Sequence, residues 1–168
     1  MPTQRNLAID LFALGLLAVV VFATLSLLTY DAADPPSTLV FPARAATLNA
    51  CGHSGALASH SLLSAFGLGA YYLVLSLGVL DGWLLTRRRI TAPALRPLGW
   101  LLSLLGLSTL SALALAQFAP GPAIGAGGYL GAAGRGWLET HFASTGAFIL
   151  VLSAIVGGLL LSTDYVLL

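Results

Sequence analysis

Between Leu62 and Leu80 the chain carries no charged residue, and besides glycine and apolar positions it holds only Ser64 and Ser76. A backbone in lipid must satisfy its own hydrogen bonds, so a run of that length and apolarity reads as a helix that crosses a bilayer. The residues leading into it, from Asn49, are small and polar, rich in Gly, Ala and Ser. Comparable runs elsewhere give four predicted spans, at about 7–29, 57–85, 98–118 and 138–161. Composition agrees, with 58% hydrophobic and 8% charged residues against about a quarter charged in soluble proteins. The expected fold is an all-α integral membrane protein in which residues 1–168 form a single four-span domain.

The lead-in returns later in the chain. A shift of 76 positions places Gly52, Gly55, Ala56, Leu62 and Phe66 on Gly128, Gly131, Ala132, Leu138 and Phe142. The order G-x-x-G-A followed by L-x-x-x-F is more particular than composition, and it predicts two duplicated helical hairpins.

Leu7 to Thr29 carries one charge, Asp10, and its length exceeds the apolar core of a secretion signal, so it reads as a span. Asp34-Pro35-Pro36 ends helical structure in the first loop, Tyr30 to Asn49, because proline lacks an amide proton and biases its predecessor toward extended backbone. Span two, taken from Gly55, is longer than the hydrocarbon; the surplus must tilt, protrude or break near that glycine-rich start. Pro93 to Pro97 reads as a short connection, and Ala119 to Gly136, with two prolines and seven glycines, as a second loop. Arg5, Arg87, Arg88, Arg89 and Arg96 fall on one side of this scheme and Arg44 and Arg135 on the other. The positive-inside rule then puts both termini in the cytoplasm and both long loops outside.

Small residues recur at four-residue spacing: Ala65 with Gly69, Gly99 with Ser103, Ser108 with Ala112, Ala143 with Ala147, Ala154 with Gly158. Lipid gives helices no hydrophobic reason to associate, so close backbone approach through such residues is expected to hold spans together, within the chain or between copies. Arg135 and Glu139, four apart, predict an ion pair at the start of span four. Asp10 and Asp81 are placed near cytoplasmic ends, within reach of headgroups or arginines.

Chemistry is sparse. All seven basic residues are arginine, so a P-loop, which needs lysine, is excluded. The single Cys51 excludes paired-cysteine redox and zinc motifs. Gly52-His53-Ser54-Gly55 is similar to the G-x-S-G of rhomboid intramembrane proteases, with His141 as the imaginable base; rhomboids have six or more spans, and nothing pairs the two residues here. His53, His60, His141 and Cys51 are too scattered to predict a metal centre. No ionisable residue falls near mid-span, which weighs against the other alternative, a small transporter or channel subunit. No catalytic residue, cofactor or metal is expected in this chain.

Four spans with cytoplasmic ends, a D-P-P-S loop, the N-x-C-G-x-x-G-A-x-x-S-x-x-L-x-x-x-F-G lead-in and its G-G-Y-L-G echo together resemble the N-terminal membrane domain of the FtsK/SpoIIIE DNA translocases. The matching residues are Asp34 and Pro35; Asn49, Gly52, Gly55, Ala56, Phe66 and Gly67; then Gly127, Gly128, Leu130, Gly131, Phe142, Gly146 and Ala147. The resemblance implies a membrane anchor and oligomerisation domain for a motor that pumps DNA at the septum during cell division and chromosome partition. It implies self-association, contacts with division proteins through the outward loops, no nucleic acid on this segment, and a place in the bacterial inner membrane. The motor and its P-loop would follow; with four residues after Asp164, the chain is expected to be a segment of a longer protein. Candidate packing residues are Gly52, Gly55, Ala56, Gly67, Gly128, Gly131, Gly146 and Ala147, and candidate topology residues Arg87, Arg88, Arg89 and Arg96.

Overall fold

The structure, a computed structural model, describes residues 7–36, 40, 44, 46–86, 95–115, 117–118 and 124–162. Among them the regular structure is all helical: α1 Leu7–Leu28, α2 Gly52–Phe66, α3 Gly69–Leu85, α4 Leu95–Ala114, α5 Gly128–His141 and α6 Ser144–Ser162. Three helices, α1, α4 and α6, are each long and apolar enough to cross a membrane, and the bent pair α2 and α3 qualifies as a fourth span when counted as one.

α1 lies where the sequence places it. Its 22 residues rise about 33 Å, and leucines, valines and phenylalanines are exposed nearly all round it. Its hydroxyls turn inward on the helix itself: Thr24 donates to the Val20 carbonyl and Ser26 to the Phe22 carbonyl, both at 2.7 Å. Back-bonding of this kind satisfies a hydroxyl that has no water to turn to.

Span two is not continuous. α2 and α3 meet at a 110° bend, and the break falls at Gly67-Leu68 rather than near Gly55. Gly67 adopts φ 56° and ψ −131°, outside the helical region, so the helical ladder stops there. The freed amide of Leu68 donates to the Ala126 carbonyl, 2.8 Å away in the other half of the chain.

The expected span at 138–161 is likewise two helices. Phe142 is extended (φ −133°, ψ 145°), and α6 begins at Ser144. The glycine-rich segment expected to be loop as far as Gly136 is helical from Gly128. Propensity argues for loop, but Gly131 and Gly134 face the Ser108 carbonyl and the Thr109 side chain of α4, and tertiary contact outweighs intrinsic preference. α4 starts at Leu95, three residues earlier than the pattern suggests. Pro97 fits its first turn because an amide there has no intrahelical partner to lose.

Each half is therefore a long helix, a short helix opened by a positive-φ glycine (Gly52 at 65°, Gly128 at 62°), a break, and a further apolar helix. α2 and α5, and α3 and α6, follow the 76-residue shift to within a residue at their starts, whereas α1 and α4 do not. α1 packs on α2 and α3, and α4 on α5 and α6; α2 with α5, and α3 with α4, join the halves. Leu27, Leu63, Ala70 and Val74 form the apolar cluster of the first half, Leu138, Ala147 and Val151 that of the second.

Candidate functional site

The joint between the halves is built from glycines and one serine. A Cβ on Gly67 would run into the backbone of Ala126 and Gly127, and one on Gly128 into that of Gly67, Ser64 and Ala65. Both residues have positive φ, so only glycine supplies both the conformation and the absence of a side chain. Ser108, fully buried on α4, donates at 3.0 Å to the Phe66 carbonyl, one of the acceptors left over where α2 ends. Gly131 approaches the Ser108 carbonyl from the other side. With Gly69 of α3 also against Ser108, three helices thus converge on about one turn of α4.

The remaining candidate packing residues divide. Gly55 is buried against Asn49, Cys51 and Ser26, Ala56 is 2% exposed, and Ala147 is fully buried. Gly52 has the backbone role noted above but open space around it. A Cβ on Gly146 would make only ordinary contact with Phe142, 3.6 Å away, so no close helix approach depends on it. Of the spaced pairs, Gly99 and Ser103 meet Gly158, and Gly69 meets Ser108. Gly106, Gly127 and Gly134 lie just as close to neighbours; the G-G-Y-L-G echo marks Gly127, while the only sequence signal at Gly106 and Gly134 is the glycine itself.

A second constellation ties the first loop to α1. Asp34, 3% exposed, accepts from the amides of Leu48 and Asn49 at 3.0 Å, and Arg44 reaches it at 3.4 Å. Asn49 then donates to the carbonyls of Ser26 (2.9 Å) and Thr29 (3.3 Å), and its side-chain oxygen accepts from the Cys51 amide. The D-P-P and N-x-C-G motifs therefore form one hydrogen-bonded clamp that caps the end of α1 and starts α2.

At the rim of the clamp Arg44 also pairs with Asp31 at 2.8 Å. The Asp31 carboxyl is held below its ordinary value first by the Ala33 amide and then by Arg44. Burial, with help from Asp31, raises Tyr30. A carboxylate with a depressed folded pKa contributes stability that is present above its unfolded value and lost as pH falls through the folded one. The Ala33 amide resonance is expected to titrate with a midpoint below 3.8, the ordinary Asp value, and Asp31→Asn to abolish that titration. A midpoint above 3.8 would contradict the pairing.

Arg135 makes the expected pair with Glu139 at 2.8 Å. It also donates to the Ala112 carbonyl at 3.0 Å, meeting an acceptor that the last turn of α4 leaves open. Asp81 departs from expectation. It is 2% exposed inside α3, with Oδ1 lacking a hydrogen-bond partner, rather than reaching toward headgroups. Arg87, Arg88 and Arg89 lie outside the described residues; Arg96 sits in the first turn of α4, 4.9 Å from the Trp83 ring.

The imagined protease pair is not assembled. Ser54 is exposed in the first turn of α2. His141, the last residue of α5, has Nδ1 2.8 Å from the Trp137 carbonyl and its ring tilted at 33° against that of Trp137. Among the described residues no three His, Cys, Asp or Glu side chains come together as metal ligands would.

The site is an assembly of close helix contacts and loop anchors, with the repeat glycines and the Asp34–Asn49 clamp at its centre. No solved structure matches the chain. Residues 5–168 match the family described as the 4TM region of DNA translocase FtsK/SpoIIIE, and the chain belongs to that family as its multi-pass membrane domain, distinct from the ATPase motor.

Proposed function

We propose that this domain moors a cytoplasmic DNA-translocating motor to the inner membrane at a bacterial division septum and helps the motor assemble as a homo-oligomer. The family match over residues 5–168 carries the reading. α1 supports the assembly role: among the described helices its main contacts are with α2 and α3, and Leu14, Val19, Val21 and Leu25 on its exposed sides are open to lipid or to a second copy. Counting α2 and α3 as one span gives four crossings and both chain ends on the same side. Five arginines against two make that side the cytoplasm. Residues 30–49 and the segment between α4 and α5 then face outward, available to other division proteins, while DNA is left to the motor.

Disulfide trapping tests self-association. In a Cys51→Ser background, Val19→Cys is expected to give disulfide-linked dimers on oxidation in membranes, whereas Ala13→Cys, 1% exposed, gives none. Equal trapping at both positions, or at neither, would remove the assembly role. A fluorescent fusion spread evenly round the cell would remove the septal one.

A further inference from the structure

α5 lies across α4 rather than along it. From Gly127, at its cap, to Arg135 the chain rises about 12 Å, yet the contacts of Gly127, Gly131, Gly134 and Arg135 with α4 all fall between Ser108 and Ala112, about 6 Å of that helix. α4 ends at Ala114, so the crossing sits within about 9 Å of its end. At the other end of α4, Gly99 meets Gly158 and Leu161 in the last turns of α6. α6 therefore starts beside the end that α5 crosses.

The two free edges of α5 differ in chemistry. At about 100° per residue, Trp137 stands about 160° round the helix from both Arg135 and Glu139. Arg135 and Glu139 pair along one edge, while Trp137, 60% exposed, marks the other. Contacts with α4 fix which edge lies deeper. Arg135 reaches the Ala112 carbonyl, near the end of α4, whereas Gly134, only about 60° from Trp137, meets Thr109, further from that end. The charged edge is thus turned toward water and the indole toward hydrocarbon.

Phe142, its ring 6.1 Å from that of Trp137, carries the aromatic edge on to α6, where Ile149, Leu152 and Val156 are exposed as a lipid-facing surface is. Trp137 and His141, with ring centroids 5.0 Å apart, each join an apolar body to a polar tip, the character suited to the boundary between headgroups and acyl chains.

We propose that α5 lies in the plane of the membrane, in the leaflet away from the chain ends, with its Trp137 edge seated on lipid at the headgroup boundary and its Arg135 and Glu139 edge in water. Lipid is the occupant because a split of charge from aromatic ring that follows depth is what a bilayer interface selects, and because the edge continues the apolar surface of α6. That this leaflet is the outer one rests on the orientation proposed above.

Two neighbouring alanines test it. Ala132 and Ala133 are both exposed in the chain alone, but Ala132 stands within about 20° of Glu139 and Ala133 within about 40° of Trp137. In a Cys51→Ser background in phospholipid vesicles, N-ethylmaleimide is expected to label Ala132→Cys about ten-fold faster than Ala133→Cys, since the reacting thiolate needs water. The reagent crosses bilayers, so the ratio does not depend on which face is cytoplasmic, and its failure leaves the orientation standing. Equal rates overturn the proposal, and so does faster labelling at Ala133. A second measurement needs no new cysteine. With Trp83→Phe and Trp100→Phe, Trp137 is the sole tryptophan, and lipids brominated near the headgroup end of the acyl chain are expected to quench it more than lipids brominated near the methyl end. The reverse order would make α5 part of a span, and no quenching with Ala133 still protected would put a second copy on this edge; either result overturns the proposal.

Discussion

Gly67→Ala is expected to destabilise the domain by about 4 kcal/mol, the sum of a backbone forced to hold a glycine-only conformation and a methyl driven into packed backbone. The methyl has nowhere to go. Ala126 and Gly127 meet it with main-chain atoms, which cannot swing aside as the end of a side chain does. Moving them breaks the bond from the Leu68 amide to the Ala126 carbonyl and with it the contact that joins the two halves. Unfolding by SDS titration in mixed micelles, followed by circular dichroism, measures the effect. Gly82→Ala and Gly15→Ala, whose added methyls meet nothing within 4 Å, should leave the midpoint unchanged or slightly raised. If Gly67→Ala behaves as those two do, the joint is not where the halves are held.

Asp34→Ala is expected to cost about 3 kcal/mol, because it leaves the Leu48 and Asn49 amides without acceptors, each a loss of about 1–3 kcal/mol when buried. Asn49 itself is 5% exposed, and its grip on the Ser26 and Thr29 carbonyls depends on the amide that Asp34 holds. Cys51, the lone cysteine, sits beside the clamp with its thiol 3.7 Å from the Phe22 carbonyl. The same SDS titration measures the loss: Asp34→Ala should lower the midpoint nearly as far as Gly67→Ala does, and Asp34→Asn by less, since one oxygen acceptor remains. An unchanged midpoint would separate the D-P-P motif from the N-x-C-G motif and leave the clamp without a role.

The long apolar helices were legible because lipid imposes one rule on every residue: α1, α4 and α6 needed only length and scarcity of charge, with Asp10 and Arg96 confined to first turns. The family, too, was legible, carried by the order of Asp34, Asn49, Gly52 and the later glycines. The breaks were not. Gly67-Leu68-Gly69 reads the same inside a continuous helix as at a sharp bend, and what decides is a carbonyl at Ala126, far away in sequence. In α5 the same blindness acts in reverse: glycines that suggest loop are there so that the helix can lie against Ser108 and Thr109. Asp81 was misjudged because a position near a helix end says nothing about which face is covered. Arg135 was read through its neighbour four residues on, while its bond to the Ala112 carbonyl required knowing that α5 crosses the end of α4.

The bend at Gly67 also sets a thickness. With α2 turned aside, α3 offers 17 residues, about 26 Å of rise, beside a partner helix of about 33 Å. Lipids along that side must shorten by several ångströms or the flanking residues must sink inward, at a fraction of a kcal/mol for each ångström. The first hairpin consequently rests most easily in a bilayer thinner than its partner helix is long.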